Sequence, residues 1–233
     1  MTYVNFVSDE DFLKCVKHVV DGYIIVNEEI DAEYVLKHSR NTVDEFKAIF
    51  DIATTEISFE DWSKNELNRQ NDKSLNNKIG EFHQMLLGSV DGWSDLGVGH
   101  PLGVDLKNDE ESIFIELKNK YNTMNSSSSA KTFEKLGNVI KEYPNATAYL
   151  GIVIDKNYNS SNVIWQLSNY PKNRQIRRIS GDLLYEMITG EPKALRDTFK
   201  AIPLAIAEIQ EKDCTLSDED ISMMNRYINY IFK

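Results

Sequence analysis

The chain is expected to fold as an α/β protein: a mixed central β-sheet flanked by helices, with additional helices at both ends. Three observations predict this. Residues 148–154, Ala-Tyr-Leu-Gly-Ile-Val-Ile, form a continuous apolar run of strand length, the pattern of a strand covered on both faces. Residues 112–120 combine strand-forming residues with an alternation of character, and a turn-rich cluster precedes them. Segments on either side carry apolar residues at helical spacing, and helices on both faces of a sheet are the economical way to cover it.

The first helix begins at Ser8, followed by Asp9, Glu10 and Asp11, with Phe12, Leu13, Val16, Val19, Val20 and Tyr23 continuing the spacing. A weaker helical segment covers about 32–37, and Thr42 is a candidate cap for another with Phe46, Ile49 and Phe50 on one face. Ser58 opens a polar helix containing Trp62 and Leu67, which leads into an amphipathic one over 74–87 closed by Gly88. Glu81 sits at the margin of its stripe of Leu75, Ile79, Phe82, Met85 and Leu86. The glycines of 97–103 fit a connecting loop, since no phosphate-binding glycine pattern follows them.

Residues 103–120 then form a hairpin around the turn cluster Asn108-Asp109-Glu110-Glu111. Asp105 lies in its first arm. In the second arm Phe114, Glu116 and Lys118 share one face and Ile113, Ile115 and Leu117 the other. An acid and a base beside an aromatic on a hydrophobic strand are paired with each other, solvated, or bound to a metal. Two readings follow: an edge hairpin carrying an ion pair between Lys118 and an acid, or two carboxylates holding a hard divalent cation with Lys118 beside a water or an anion.

Downstream, any of Ser126 to Ser129 can cap a helix over 130–142 whose stripe is Phe133, Leu136, Val139 and Ile140. With Asn122, Asn125 and Lys131 around it, that helix start suits a phosphate. Strands follow at 147–154 and 163–167, and Ile176-Arg177-Arg178-Ile179 suits a short strand or loop presenting guanidinium forks to phosphate or guanine, or making surface salt bridges. Asp182 and Pro192 start helices running to Gly190 and Ile209, and Ser217 caps a last one.

Composition narrows the function classes. With 233 residues, 41% hydrophobic and 27% charged, the chain can bury a full core, and its longest apolar run is too short to span a bilayer. The acidic N-terminus predicts no secretory signal and a cytoplasmic address. Cys15 and Cys214 lack metal-binding spacing and suit two reduced thiols, with a single disulfide between them left open. The net charge of -11 opposes nucleic-acid binding only as a sum. From Glu116 to Arg178 ten basic residues stand against four acidic ones, an excess of six, so a basic face on an acidic protein is one arrangement and a mixed solvated surface the other.

Glu81 on a helix, Asp105 on a strand, and Glu116-Leu117-Lys118 on the next strand resemble the PD-(D/E)XK nuclease superfamily, with Val104 standing where its pattern has proline. The strings Asn76-Asn77-Lys78-Ile79-Gly80-Glu81-Phe82-His83-Gln84, Gly103-Val104-Asp105-Leu106-Lys107-Asn108, Glu116 through Thr123, and Arg177-Arg178-Ile179-Ser180-Gly181 are similar to one group of type II restriction endonucleases. Characterised members of that group cut GGNCC. The resemblance implies a single endonuclease domain over 1–233, with a helical N-terminal region over 1–73, a catalytic core over 74–167, and a DNA-contacting loop and C-terminal helices over 168–233. It implies Mg²⁺-dependent hydrolysis of double-stranded DNA by a homodimer, with a companion DNA methyltransferase as functional partner and no membrane. Asp105, Glu116 and Lys118 would be catalytic; Asp105, Glu116, the Leu117 carbonyl and Glu81 would serve the metal. Asn119, Lys120, Asn122, Asn125, Ser126, Lys131, Arg177 and Arg178 would contact DNA. The alternatives are a structure-selective repair or recombination nuclease and a non-catalytic DNA-binding protein on a decayed nuclease core.

Overall fold

In the computed structural model, which describes residues 2–23, 42–97, 99–212 and 217–231, the chain divides into two compact units, residues 18–79 and residues 1–17 with 80–233. The expected helix at 32–37 and Cys214 lie outside the described residues.

In the smaller unit, α2 (Glu45–Thr55, counting Asp9–Val20 as α1) is capped by Asp44, whose carboxylate accepts from the Lys47 N–H, rather than by Thr42. Its Phe46, Ile49 and Phe50 are exposed and Ala48 is its buried residue. The two helical segments expected from 58 to 87 are one, α3 (Phe59–Gly88). Ser58 caps it, its Oγ accepting from the Asp61 N–H at 3.0 Å. Because no proline interrupts the run, the ladder continues through both segments.

The larger unit holds a six-stranded mixed sheet. Its strands are β1 (Trp93–Asp95), β2 (Leu106–Asn108), β3 (Ile113–Lys120), β4 (Thr147–Ile154), β5 (Asn162–Ile164) and β6 (Ile176–Ser180), in spatial order 1-2-3-4-6-5. β3, β4 and β6 are parallel to one another, and the other pairings are antiparallel. The expected α/β class, with a mixed sheet between helices, is thus what forms. β1, where no strand was expected, is three residues long and takes its strand form from pairing with β2.

The hairpin is not at an edge. β3 lies third of six, so both of its faces are covered: Phe114, Ile115, Glu116 and Leu117 are all buried. On one face α4 (Ser126–Glu142) packs Phe133, Leu136, Val139 and Ile140 against Phe114, Ala148, Leu150, Ile152 and Ile176. The cap of α4 is Asn125, not a serine: its carboxamide oxygen accepts from the Ser128 N–H at 2.9 Å, and the serines form the first turn. On the other face lies α5 (Gly181–Thr189). Gly151 of β4 admits this helix, since a Cβ there would meet Leu184 at 2.8 Å. A Cβ at Gly181 would come 2.2 Å from the Val153 carbonyl oxygen, so only glycine lets the chain turn from β6 into α5. Helices α6 (Ala194–Ile209) and α7 (Asp218–Ile231) complete the described chain. No helix among the described residues is long and apolar enough to cross a membrane.

Candidate active site

The ladder between β2 and β3 ends at the pair Leu106–Ile115, with one further bond from the Asp105 N–H to the Ile115 carbonyl at 2.9 Å. Beyond that point the strands part. The next inward N–H on β3, that of Leu117, would be left without a strand partner; it donates instead to Asp105 Oδ2 at 2.6 Å. The site begins where the sheet opens, and the side chain at the opening is a carboxylate.

Glu116 is 3% exposed and on the α4 side of β3. The Lys118 ammonium lies 2.7 Å from its Oε1 and the Lys135 ammonium, from α4, 2.8 Å from its Oε2. Burial, together with the neighbouring Glu116 charge, pushes the Asp105 carboxyl up to about 6. The Leu117 N–H and the charges of Lys118 and Lys135 act the other way, yet the carboxyl stays raised. Two carboxylates that resist sharing a buried place are suited to a cation between them.

Of the two sequence readings of the hairpin, the ion pair is present, on an interior strand and not at an edge. Lys118 does form an ion pair with an acid, and that acid also faces a second carboxylate. The structure brings together Asp105, Glu116, Leu117 and Lys118. Glu81 is exposed on α3, one turn before Gln84, whose amide donates to Asp95 Oδ1 at 2.6 Å. The strand carrying Asp95 leads to Leu96, whose N–H donates to the Asp105 carbonyl at 2.9 Å. Among the described residues no three of His, Cys, Asp and Glu cluster as a ready metal site.

Lys135 was missed by the sequence reading. Its place on the core side of its helix was legible, because it lies three residues after Thr132 and four before Val139, both buried, but its meeting with Glu116 was not.

The candidate DNA contacts separate into groups. Lys120 is exposed at the end of β3, Asn122 and Asn125 are exposed in the turn leading into α4, and Ser126 is exposed at the first position of that helix. Lys131 is exposed on α4. Asn119 faces the opposite side of the sheet from Lys118, and its amide oxygen is buried with no hydrogen-bond partner among the described residues. The two arginines lie on β6, also on opposite faces. Arg177 donates to the side chain and carbonyl of Asn162 at 2.8 and 2.9 Å. Arg178 forms an ion pair with the buried Asp155.

A model of the Eco47II restriction endonuclease family matches residues 4–211. The chain belongs to this family. It is 32% identical over 215 residues to the type II restriction enzyme Sau96I of Staphylococcus aureus, covering 88% of this chain and 80% of that one. It is 31% identical over 240 residues to the type II restriction enzyme Eco47II of Escherichia coli, covering 99% of this chain and 98% of the other. The expected type II restriction endonuclease is borne out: the protein is a site-specific deoxyribonuclease, a hydrolase acting on double-stranded DNA, in a family that uses divalent metal ions.

Proposed function

We propose that the protein cuts double-stranded DNA at the short palindrome GGNCC, with Mg²⁺ held between Asp105 and Glu116. One observation carries this reading: where β2 and β3 part, Asp105 accepts from the N–H of Leu117, the neighbour of Glu116, and Lys118 lies against Glu116. The donor set fits a hard cation, which takes oxygen ligands from carboxylates, carbonyls and water. Asp105 and Glu116 would supply carboxylates and the Leu117 carbonyl a further oxygen, and Glu81 would bind a second ion or a metal-bound water. Held by these residues, a divalent cation would neutralise the acid pair and polarise the scissile phosphate.

The chain's own residues do the remaining work. The Leu117 N–H holds one oxygen of Asp105 and thereby fixes the direction of the other. Lys118 orients the attacking water and stabilises negative charge gathering on the phosphate oxygens. Lys120, Asn122, Asn125, Ser126 and Lys131 contact phosphates and base edges at the open end of β3 and the start of α4. Arg178 and Arg177 are candidates for guanine edges, which take bidentate donors. Of this set Asn119, turned to the opposite face, and Arg177, held by Asn162, have the least geometric support.

A palindromic target suits a homodimer, because each half-site then meets an identical surface. Residues 1–233 work as one endonuclease domain in the cytoplasm, and a companion methyltransferase protects the same sequence. The target itself rests on the sequence strings shared with enzymes that cut GGNCC. Incubation with long linear DNA and Mg²⁺ is expected to give discrete fragments whose ends map to GGNCC. Asp105→Ala and Lys118→Ala are expected to abolish them; undiminished fragments from both variants would overturn the site.

A further inference from the structure

Both oxygens of Glu116 are already taken by ammonium groups, Oε1 by Lys118 and Oε2 by Lys135. A divalent cation that uses Glu116 must therefore take an oxygen from a lysine. It must also tolerate whatever positive charge remains beside it in a buried place. Lys118 sits two residues from Glu116 on the same strand, and its side chain is 28% exposed. Lys135 is different: it reaches Glu116 from another element, and its side chain is 35% exposed. It also lines an open groove of about 380 Å³ with Leu102, Gly103, Lys131 and Glu134. At Gly103 the absence of a side chain leaves the Lys135 methylenes room, since even a Cβ there would lie 3.6 Å from them. The groove's lining includes two carboxylates, Glu134, whose Oε1 accepts from the Tyr170 hydroxyl, and Glu142.

We infer that Lys135 is a displaceable counter-ion of the active site. It occupies Glu116 Oε2 when no divalent cation is present and swings into the adjacent groove when one binds, so cation and lysine compete for the same oxygen. Lys135 is thus a positioning residue acting through Glu116. It keeps the buried carboxylate neutralised and in place before the cation arrives, at the cost of weaker cation binding by the DNA-free enzyme. The inference rests on the proposed cation site at Asp105 and Glu116.

The test is cation binding rather than cleavage. Mn²⁺ is titrated into the DNA-free protein, with electron paramagnetic resonance reading the free ion, for the natural chain, Lys135→Met, Lys135→Arg and Glu116→Gln. Lys135→Met keeps the length and apolar stem but removes the charge. It is expected to bind Mn²⁺ roughly tenfold or more tightly, the effect of removing a like charge a few ångströms away. Lys135→Arg, which keeps the charge, should stay within a few-fold of the natural chain, and thermal melting of each variant verifies folding. Unchanged or weaker binding by folded Lys135→Met, while the natural chain binds Mn²⁺ in a manner lost in Glu116→Gln, would overturn the displacement and leave the cation site standing. Failure of the natural chain to bind Mn²⁺ through Glu116 would overturn the cation site, and the displacement with it.

Discussion

Two polar pairs lie on opposite faces of the central sheet, one fully buried and one with Asp105 half-buried, and they differ in what their surroundings have done to them. On the α5 side, His83 Nδ1 and the Tyr185 hydroxyl lie 2.6 Å apart. Burial pulls the imidazole down to about 4 and pushes the phenol up, so both are neutral at pH 7 and each supplies what the other needs. On the α4 side, Asp105 and Glu116 are both acids, and the closeness of one raises the other. The first pair is closed and complete. The second is completed by cations, two lysines in the free protein and a divalent ion in the proposed mechanism. Buried polarity alone does not mark a functional site; a pair whose members oppose each other is the better candidate.

The largest test of this contrast is catalytic. Asp105→Asn and Glu116→Gln are expected to lower cleavage by roughly 10³-fold or more, the scale of removing a group that acts on transition-state charge. His83→Phe, which leaves the acid pair untouched, should retain cleavage within a few-fold when assayed below its melting temperature. A loss in His83→Phe comparable to that in Asp105→Asn would erase the distinction.

Stability should show the reverse order. Tyr185→Phe leaves a buried imidazole nitrogen without its partner and is expected to cost about 1–3 kcal/mol in urea unfolding. Asp105→Asn removes a strained charge and should make the cation-free protein more stable at pH 8, by about 1–2 kcal/mol.

The pH dependences of the two sites have opposite signs. For His83 the folded value, about 4, lies below the ordinary 6.5. Its contribution to stability is complete above pH 6.5 and declines as pH falls toward 4, because the unfolded chain takes up a proton that the folded one refuses. For Asp105 the folded value, about 6, lies above the ordinary 3.8. Its contribution is present below pH 3.8 and is lost as pH rises through about 6, since the folded chain now holds the proton more tightly. The stability gain of Asp105→Asn should therefore be greatest at pH 8 and vanish near pH 4. A gain independent of pH would show that relief of the charge is not its cause.

The arginines separate in the same way, and the smallest expected effect is that of Arg177. Arg178→Ala breaks an ion pair whose carboxylate, Asp155, is 7% exposed, and should destabilise the chain by roughly 1–3 kcal/mol as well as weaken DNA binding. Arg177→Ala, whose guanidinium is bound to Asn162 at an exposed site, should change stability by under about 1 kcal/mol. Gel-shift titration and urea unfolding of both variants separate the two roles.

Much of this protein was determined by local pattern. The apolar run of β4, the acidic start of α1, the stripe of α4 and the turn cluster before β3 depend on neighbouring residues, and each formed where the sequence placed it. The order acid, turn, acid-Leu-Lys was legible too, together with its resemblance to restriction endonucleases. Three things were decided only in three dimensions. The three-residue β1 exists because an edge was available for pairing, and no local signal marks so short a strand. The Asn125 cap won over four serines because its carboxamide, at an extended backbone position, reached the Ser128 N–H. Lys135 joined the site because α4 packs across β3 and so carries a residue nineteen positions from Glu116 to its second oxygen. Sequence spacing gives the direction of side chains within one element, whereas the meeting of two elements depends on how their faces pack, and the second lysine of this site belongs to that packing.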